Sequence, residues 1–130
     1  MAGLITLSDI ESASNTDILQ GTRLQTVPAG GFLTFELQSS ANDATNSFTC
    51  SIQLPNGDTP LNTVRIPAGD ATGEIDSRKK LMVTLPVAQG GHAVFSATET
   101  GTAVLAWRVT YTPAAQAARS ARLAGARAVM

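Results

Sequence analysis

The stretch Gly91–Pro113, GHAVFSATETGTAVLAWRVTYTP, decides the fold. It reads as two β-strands joined by a short polar turn, Thr98-Glu99-Thr100-Gly101-Thr102. Side chains alternate across a strand, so Ala103, Leu105, Trp107, Val109 and Tyr111 share one face of the second strand. The opposite face carries Val104, Ala106, Arg108 and Thr110, a mixture suited to solvent or to a partner. The single Trp and the single Tyr thus point the same way, which makes this strand the expected centre of the core.

Outward from that stretch, short strand signals recur with a turn between most neighbours. Ile18 to Val27 reads as a strand ended by Pro28-Ala29-Gly30-Gly31, and Phe32 to Gln38 as one with Leu33, Phe35 and Leu37 aligned. A polar loop from Ser39 to Asn46 leads into the strand of Phe48, Cys50 and Ile52. Pro55-Asn56-Gly57-Asp58 is a strong turn signal, because Asn-Gly supplies the positive φ angles that tight turns need. Asn62 to Ile66 is a short strand stopped by Pro67-Ala68-Gly69, residues 70–79 read as a polar loop, and Lys80 to Leu85 aligns Leu81, Val83 and Leu85. Val27-Pro28-Ala29-Gly30 and Ile66-Pro67-Ala68-Gly69 are one turn used twice. No helical period precedes residue 113, and the expectation is an all-β domain, an antiparallel β-sandwich or jelly roll.

The ends differ from this middle. Residues 1–16 start apolar (Leu4, Ile5, Leu7, Ile10) and turn polar, fitting either a short strand or an arm docked on a partner. Residues 17–112 form the β domain. Residues 113–130 are an Ala/Arg-rich extension with eight alanines and three arginines from Ala114 onward. Thr112 suits a helix cap and Pro113 a first helical position, but so short a helix with few large apolar residues is marginal alone. The extension is expected to order only against something else.

With 130 residues the chain can bury a core without disulfides or metals. Charged residues are only 15%, which suits a β domain or a surface partly covered by neighbours. The net charge of −1 hides an asymmetry: residues 1–76 hold two arginines against nine acids, a balance of −7, and residues 77–130 hold seven cations against Glu99, a balance of +6. That polarity favours association of one copy's acidic part with another's basic part, unless the fold interleaves the two halves. No basic residue precedes Arg23 and no apolar run reaches membrane-spanning length, so neither a signal peptide nor a membrane span is expected.

Candidate chemistry is thin. A lone Cys50 excludes an internal disulfide and a cysteine-based zinc site, and its alternation with polar residues places it in the core. The lone His92 follows Gly90-Gly91 at a strand start, an ordinary exposed turn position, and a Cys50–His92 pair has no oxyanion-hole signature beside it. Asp70, Glu74 and Asp76 match no calcium-loop spacing. Arg119, Arg122 and Arg127, with Arg78-Lys79-Lys80, are the only basic clusters, but a pI near 5.7 and the lack of stacking aromatics argue against dedicated nucleic-acid binding. Trp107 and Tyr111 lie mid-strand on an apolar face, which argues against a sugar platform. Neither catalysis nor a cofactor is expected.

Few charges, abundant Thr, Ala and Gly, one Cys, the paired Pro-Ala-Gly turns and terminal extensions around one compact domain make the chain resemble the small β-sandwich cement (decoration) proteins of tailed-phage capsids. That resemblance implies a structural protein on the capsid surface of a virion, assembled in the host cytoplasm as a dimer or trimer and bound to a major capsid protein. On it, Leu4, Ile5 and Leu7 would supply an N-terminal contact, and Arg119, Arg122, Leu123 and Arg127 a C-terminal one. Two alternatives stand beside it: a self-assembling coat similar to those of small RNA phages, and a ligand- or carbohydrate-binding β module.

Overall fold

The computed structural model describes residues 3–69, 75 and 79–114. Seven strands follow in order: β1 (Ile5–Glu11), β2 (Gly31–Ser39), β3 (Ser47–Gln53), β4 (Leu61–Arg65), β5 (Leu81–Val87), β6 (Val94–Thr100) and β7 (Leu105–Pro113). They make two antiparallel sheets, one of four strands ordered β1-β7-β2-β5 and one of three ordered β4-β3-β6. The chain is all-β, a sandwich of two sheets, as its short alternating strands require.

The pairing is nested, first strand with last: β1 lies on β7, β2 on β5, and β3 on β4. The place between β1 and β2 is taken by residues 15–18, which lie along β6. Asn15 and Ala97 exchange both backbone hydrogen bonds (2.9 and 2.8 Å), and Ile18 N–H donates to the Phe95 carbonyl (2.7 Å). With that segment counted, eight positions pair in the order of a jelly roll, a long hairpin rolled on itself.

The expected strand from Ile18 to Val27 is therefore not a strand. Successive turns run through it, with Gln20 N–H to the Asp17 carbonyl, Thr22 N–H to Leu19 and Gln25 N–H to Thr22. Thr22 competes with any ladder by donating its hydroxyl to the Leu19 carbonyl (2.7 Å) while accepting from Leu24 N–H. The apolar residues of this segment, Ile18, Leu19, Leu24 and Val27, still enter the core, each at most 5% exposed. They plug one side of the sandwich without alternating.

The hairpin expected within Gly91–Pro113 is also corrected. β6 and β7 exist, but they belong to opposite sheets: β6 pairs with β3, and β7 sits between β1 and β2. Residues 101–104 carry the chain across the sandwich instead of folding it back. Gly101 (φ +74°) turns there, Thr102 N–H donates to the Asn46 side chain, and Ser40 and Val104 exchange hydrogen bonds that fix the crossing. A side chain at Gly101 would meet the Thr45 carbonyl as well as needing a left-handed backbone. The reason lies in burial: β7 is a central strand whose Leu105, Trp107, Val109 and Tyr111 need the opposing sheet as a lid.

The core is the space between sheets. Leu33, Phe35 and Leu37 of β2 and the odd residues of β7 face Phe48, Cys50 and Ile52 of β3 and Phe95 and Ala97 of β6, and every one of these is at most 4% exposed. Phe95 is the bridge, meeting Phe35 edge-on at 5.3 Å and Trp107 edge-on at 6.0 Å, both from the other sheet. The Tyr111 hydroxyl, buried with its ring, donates to the Ala29 carbonyl (2.7 Å) in the first Pro-Ala-Gly turn. The second such turn closes on β2, with Gly69 N–H donating to the Ser39 carbonyl and Ser39 N–H to Pro67.

Thr112 and Pro113, expected to open a helix, are the last residues of β7, and Pro113 stands opposite Gly31. Residues 115–130 lie outside the described residues. Residues 1–16 take the first of their two readings, since Ile5–Glu11 is a strand of the larger sheet. We expect Phe95→Ala to cost about 3–5 kcal/mol, because it empties a fully closed site between the sheets. Thermal denaturation should show a Tm lower by more than about 10 °C.

Candidate protein-interaction face

The sequence-level candidates for chemistry do not assemble into a site. Cys50 is buried, and burial pushes its thiol up to about 12, so it stays protonated and inert at neutral pH. His92 is not the exposed turn residue expected. Its Nδ1 lies 2.6 Å from the Gln25 carbonyl and its Nε2 lies 2.8 Å from Asp17 Oδ2, so both ring nitrogens are engaged. The ring thereby ties two points of the 17–25 turns to the start of β6, and it has no nitrogen left for Cys50. Asp70, Glu74 and Asp76, and likewise Arg119, Arg122, Leu123 and Arg127, lie outside the described residues. No group of three metal-ligating side chains occurs among the described residues, and no described helix is long and apolar enough to cross a membrane.

Of the three N-terminal contact residues, Ile5 and Leu7 turn inward and pack against the core of their own domain. Leu4 is 54% exposed. It belongs to a larger feature that single-strand patterns do not reveal. Ile10, Phe32 and Met82 are the other large hydrophobics exposed among the described residues. Register places them on one face, spread over its strands. Phe32 faces Pro86 and Thr112, Glu36 faces Met82 and Arg108, Arg108 faces Ser8, and Ala106 faces Ile10. Alternation along β1 adds Leu4. All four exposed hydrophobics therefore stand on the outer face of the four-stranded sheet. The outer face of the smaller sheet shows Thr49, Ser51, Ser96 and Thr98 instead.

Across the middle of the larger face runs one row of hydroxyls, Thr6, Thr110, Thr34 and Thr84, one from each strand. The Thr34 and Thr84 hydroxyls bond to each other at 3.0 Å. In the adjacent row Glu36 is only 7% exposed and is held by two cations. Arg108 donates through Nε to Oε2 and through Nη2 to Oε1 (2.8 Å), and Lys80 Nζ also donates to Oε1. The hydrogen bond from Arg108 lowers the Glu36 carboxyl to about 2, against the opposing pull of burial, and the bond from Lys80 adds to it. One carboxylate against two cations leaves this part of the face with one positive charge in excess.

Towards one end, a groove of about 480 Å³ runs between β1 and β7, lined by Ser8, Ile10, Ile75, Ala106 and Arg108 among others. Gln38, fully buried on the same side, sends Nε2 to the Lys79 carbonyl and lies under Gly69, where a side chain would collide with it. The face thus has a four-strand middle with Ile75 and Lys79 at one end. Among the described residues it offers apolar contact and hydroxyls, with no activated nucleophile and no basic track. Sequence reading found Arg108 as part of a mixed face but missed Phe32, Glu36 and Met82. The even positions of β2 and β5 carried the signal, and only pairing aligned it.

No protein-family profile and no curated protein matches this chain. Solved structures similar to it include two other β proteins. The C-terminal CBM6 of LamC, a marine laminarinase from Zobellia galactanivorans, is 14% identical with a TM-score of 0.38, over 83% of this chain and 100% of that one. The acid-stable capsid of Helicobacter pylori bacteriophage KHP30 is 15% identical with a TM-score of 0.40, over 83% of this chain and 91% of that one.

Because the Glu36 carboxyl titrates below its unfolded value of 4.5, its contribution to stability is full above that pH and is lost as pH falls towards 2. Glu36→Gln should lower stability at pH 7 by about 1–2 kcal/mol, leaving two cations with a weaker acceptor. Urea unfolding from pH 7 to pH 2 should show the gap between the two proteins closing over pH 4.5 to 2.

Proposed function

We propose that this chain is a non-enzymatic structural protein of a virion, a cement protein that lays the outer face of its four-stranded sheet against a major capsid protein. One observation supports the reading above others: the exposed Leu4, Ile10, Phe32 and Met82 share that face, and none stands on the opposite one. Exposed hydrophobics that all stand on one sheet face suit a surface that a neighbour covers. The hydroxyl row suits the same use, and Glu36 meets its two cations within the face and so brings no bare carboxylate into a contact. Most aromatics of the carbohydrate reading are spent inside, with Trp107, Tyr111, Phe35, Phe48 and Phe95 all at most 4% exposed. That weighs against stacking on sugars.

The test uses particles purified on a density gradient from the source of the chain, with quantitative mass spectrometry of the particle band. The chain should appear there in fixed ratio to the major capsid protein. Phe32→Asp combined with Met82→Asp should keep the circular dichroism of the folded domain while particle occupancy falls by at least about tenfold. Absence of the chain from particles would refute the virion reading, and undiminished occupancy of the double variant would refute the face. Closed particles formed by the purified chain alone would make it the shell subunit itself.

A further inference from the structure

An antiparallel sandwich has four sheet edges, and a bare edge is a template for another strand. Three edges are blunted here. β5 carries Pro86, which has no N–H to give. β4 is broken by an irregular register against β3 and by Thr63, whose φ of +52° no β-branched residue adopts easily. β6 is covered by residues 14–18, through the Asn15–Ala97 pair and the Glu99 N–H bond to Ser14 Oγ. β1 is different: Ile5–Glu11 runs in unbroken register with β7, contains no Pro, Gly or Lys, and has no strand on its far side among the described residues.

The backbone phase of that free side is legible. Ile10 N–H bonds to the Asp9 carboxylate (2.8 Å) and not to β7, so it points away from the sheet. Groups alternate along an antiparallel strand, so Thr6 and Ser8 point away with it. On the outer face stand two exposed hydrophobics, Ile10 in the strand and Leu4 immediately before it, three residues either side of Leu7.

We propose that β1 pairs antiparallel with β1 of a second copy about a two-fold axis at Leu7, joining the two larger sheets into one of eight strands. This register sets Leu4 opposite Ile10 of the other copy and Thr6 opposite its Ser8; both are outward-pointing pairs that can exchange backbone bonds, the first once the Ile10 N–H leaves the Asp9 carboxylate. Each exposed hydrophobic is then covered by the other. Like charges stay apart, because Asp9 faces Ile5 of the other copy and the two Asp9 positions lie roughly 13 Å apart along the strands. That exceeds the screening length of about 8 Å at physiological salt. The pairing does not need the virion reading: it uses the edge of β1 with Leu4 and Ile10, and it leaves Phe32 and Met82 of the outer face open.

The experiment is sedimentation equilibrium of the full chain over a concentration series. A reversible monomer–dimer equilibrium is expected. Leu4→Glu and Ile10→Lys should each raise the dissociation constant by about a hundredfold, because each change acts twice across the axis. Both sites are exposed, so unfolding midpoints should be unchanged. Combined in one chain, the two changes face each other as opposite charges and should return the constant to within about tenfold of the parent. A chain monomeric throughout, or a trimer, would overturn the proposal. So would single variants that associate like the parent, or a combined variant that fails to recover.

Discussion

A strand with neighbours on both sides must satisfy every backbone group in place, and β7 meets that demand over its whole length. Nine residues of β7 face β2, and seven of them also face β1. Its inner side chains then need a lid, and the lid is the smaller sheet, held by Phe95 wedged between Phe35 and Trp107. Moving β7 would leave β1 without a partner, Tyr111 without the Ala29 carbonyl, and Glu36 without Arg108. The core, the outer face and the N-terminal strand all hang on one length of backbone.

Much of this was legible from residues alone. Leu105, Trp107, Val109 and Tyr111 alternate with smaller or polar residues, and that period predicts one buried face. Gly57 and the Pro-Ala-Gly turns announced their breaks, because Gly and Pro act through local backbone geometry. Pairing partners were another matter. Whether 98–102 folds back as a hairpin or crosses between sheets depends on Asn46 and Ser40, over fifty residues earlier, which bind the crossing. Ile18–Val27 misled for a related reason: its residues are apolar enough for a strand, but Thr22 and Gly21 favour turns, and the core accepts side chains from turns as readily as from strands.

The interaction face shows the same division between local and non-local information. Phe32, Glu36 and Met82 look unremarkable in sequence, the first two on the even flank of β2 and the third on that of β5. Only the registers of β2 with β5 and β7 put Met82 and Arg108 beside Glu36. An N-terminal apolar run suits an arm as well as a strand, and alternation separates Leu4 from Ile5 and Leu7, which pack against the core. His92 appeared exposed because it follows two glycines. Its partners, Asp17 and Gln25, come from a segment whose course could not be inferred locally.

Nested pairing also sets an order of events in synthesis. Residues of β1 leave the ribosome first, but Ile5 has its partner in Tyr111, near the end of the described chain. At usual elongation speeds that wait is on the order of ten seconds. Throughout it β1 has two open edges instead of one, while β3 can already pair with β4. The smaller sheet is thus free to begin early, and the larger sheet closes last, when β7 slides in between the two strands that have been waiting for it. Such distant pairing belongs to slow-folding topologies, so the nascent chain is most exposed to its neighbours on a crowded polysome just before its final strand emerges.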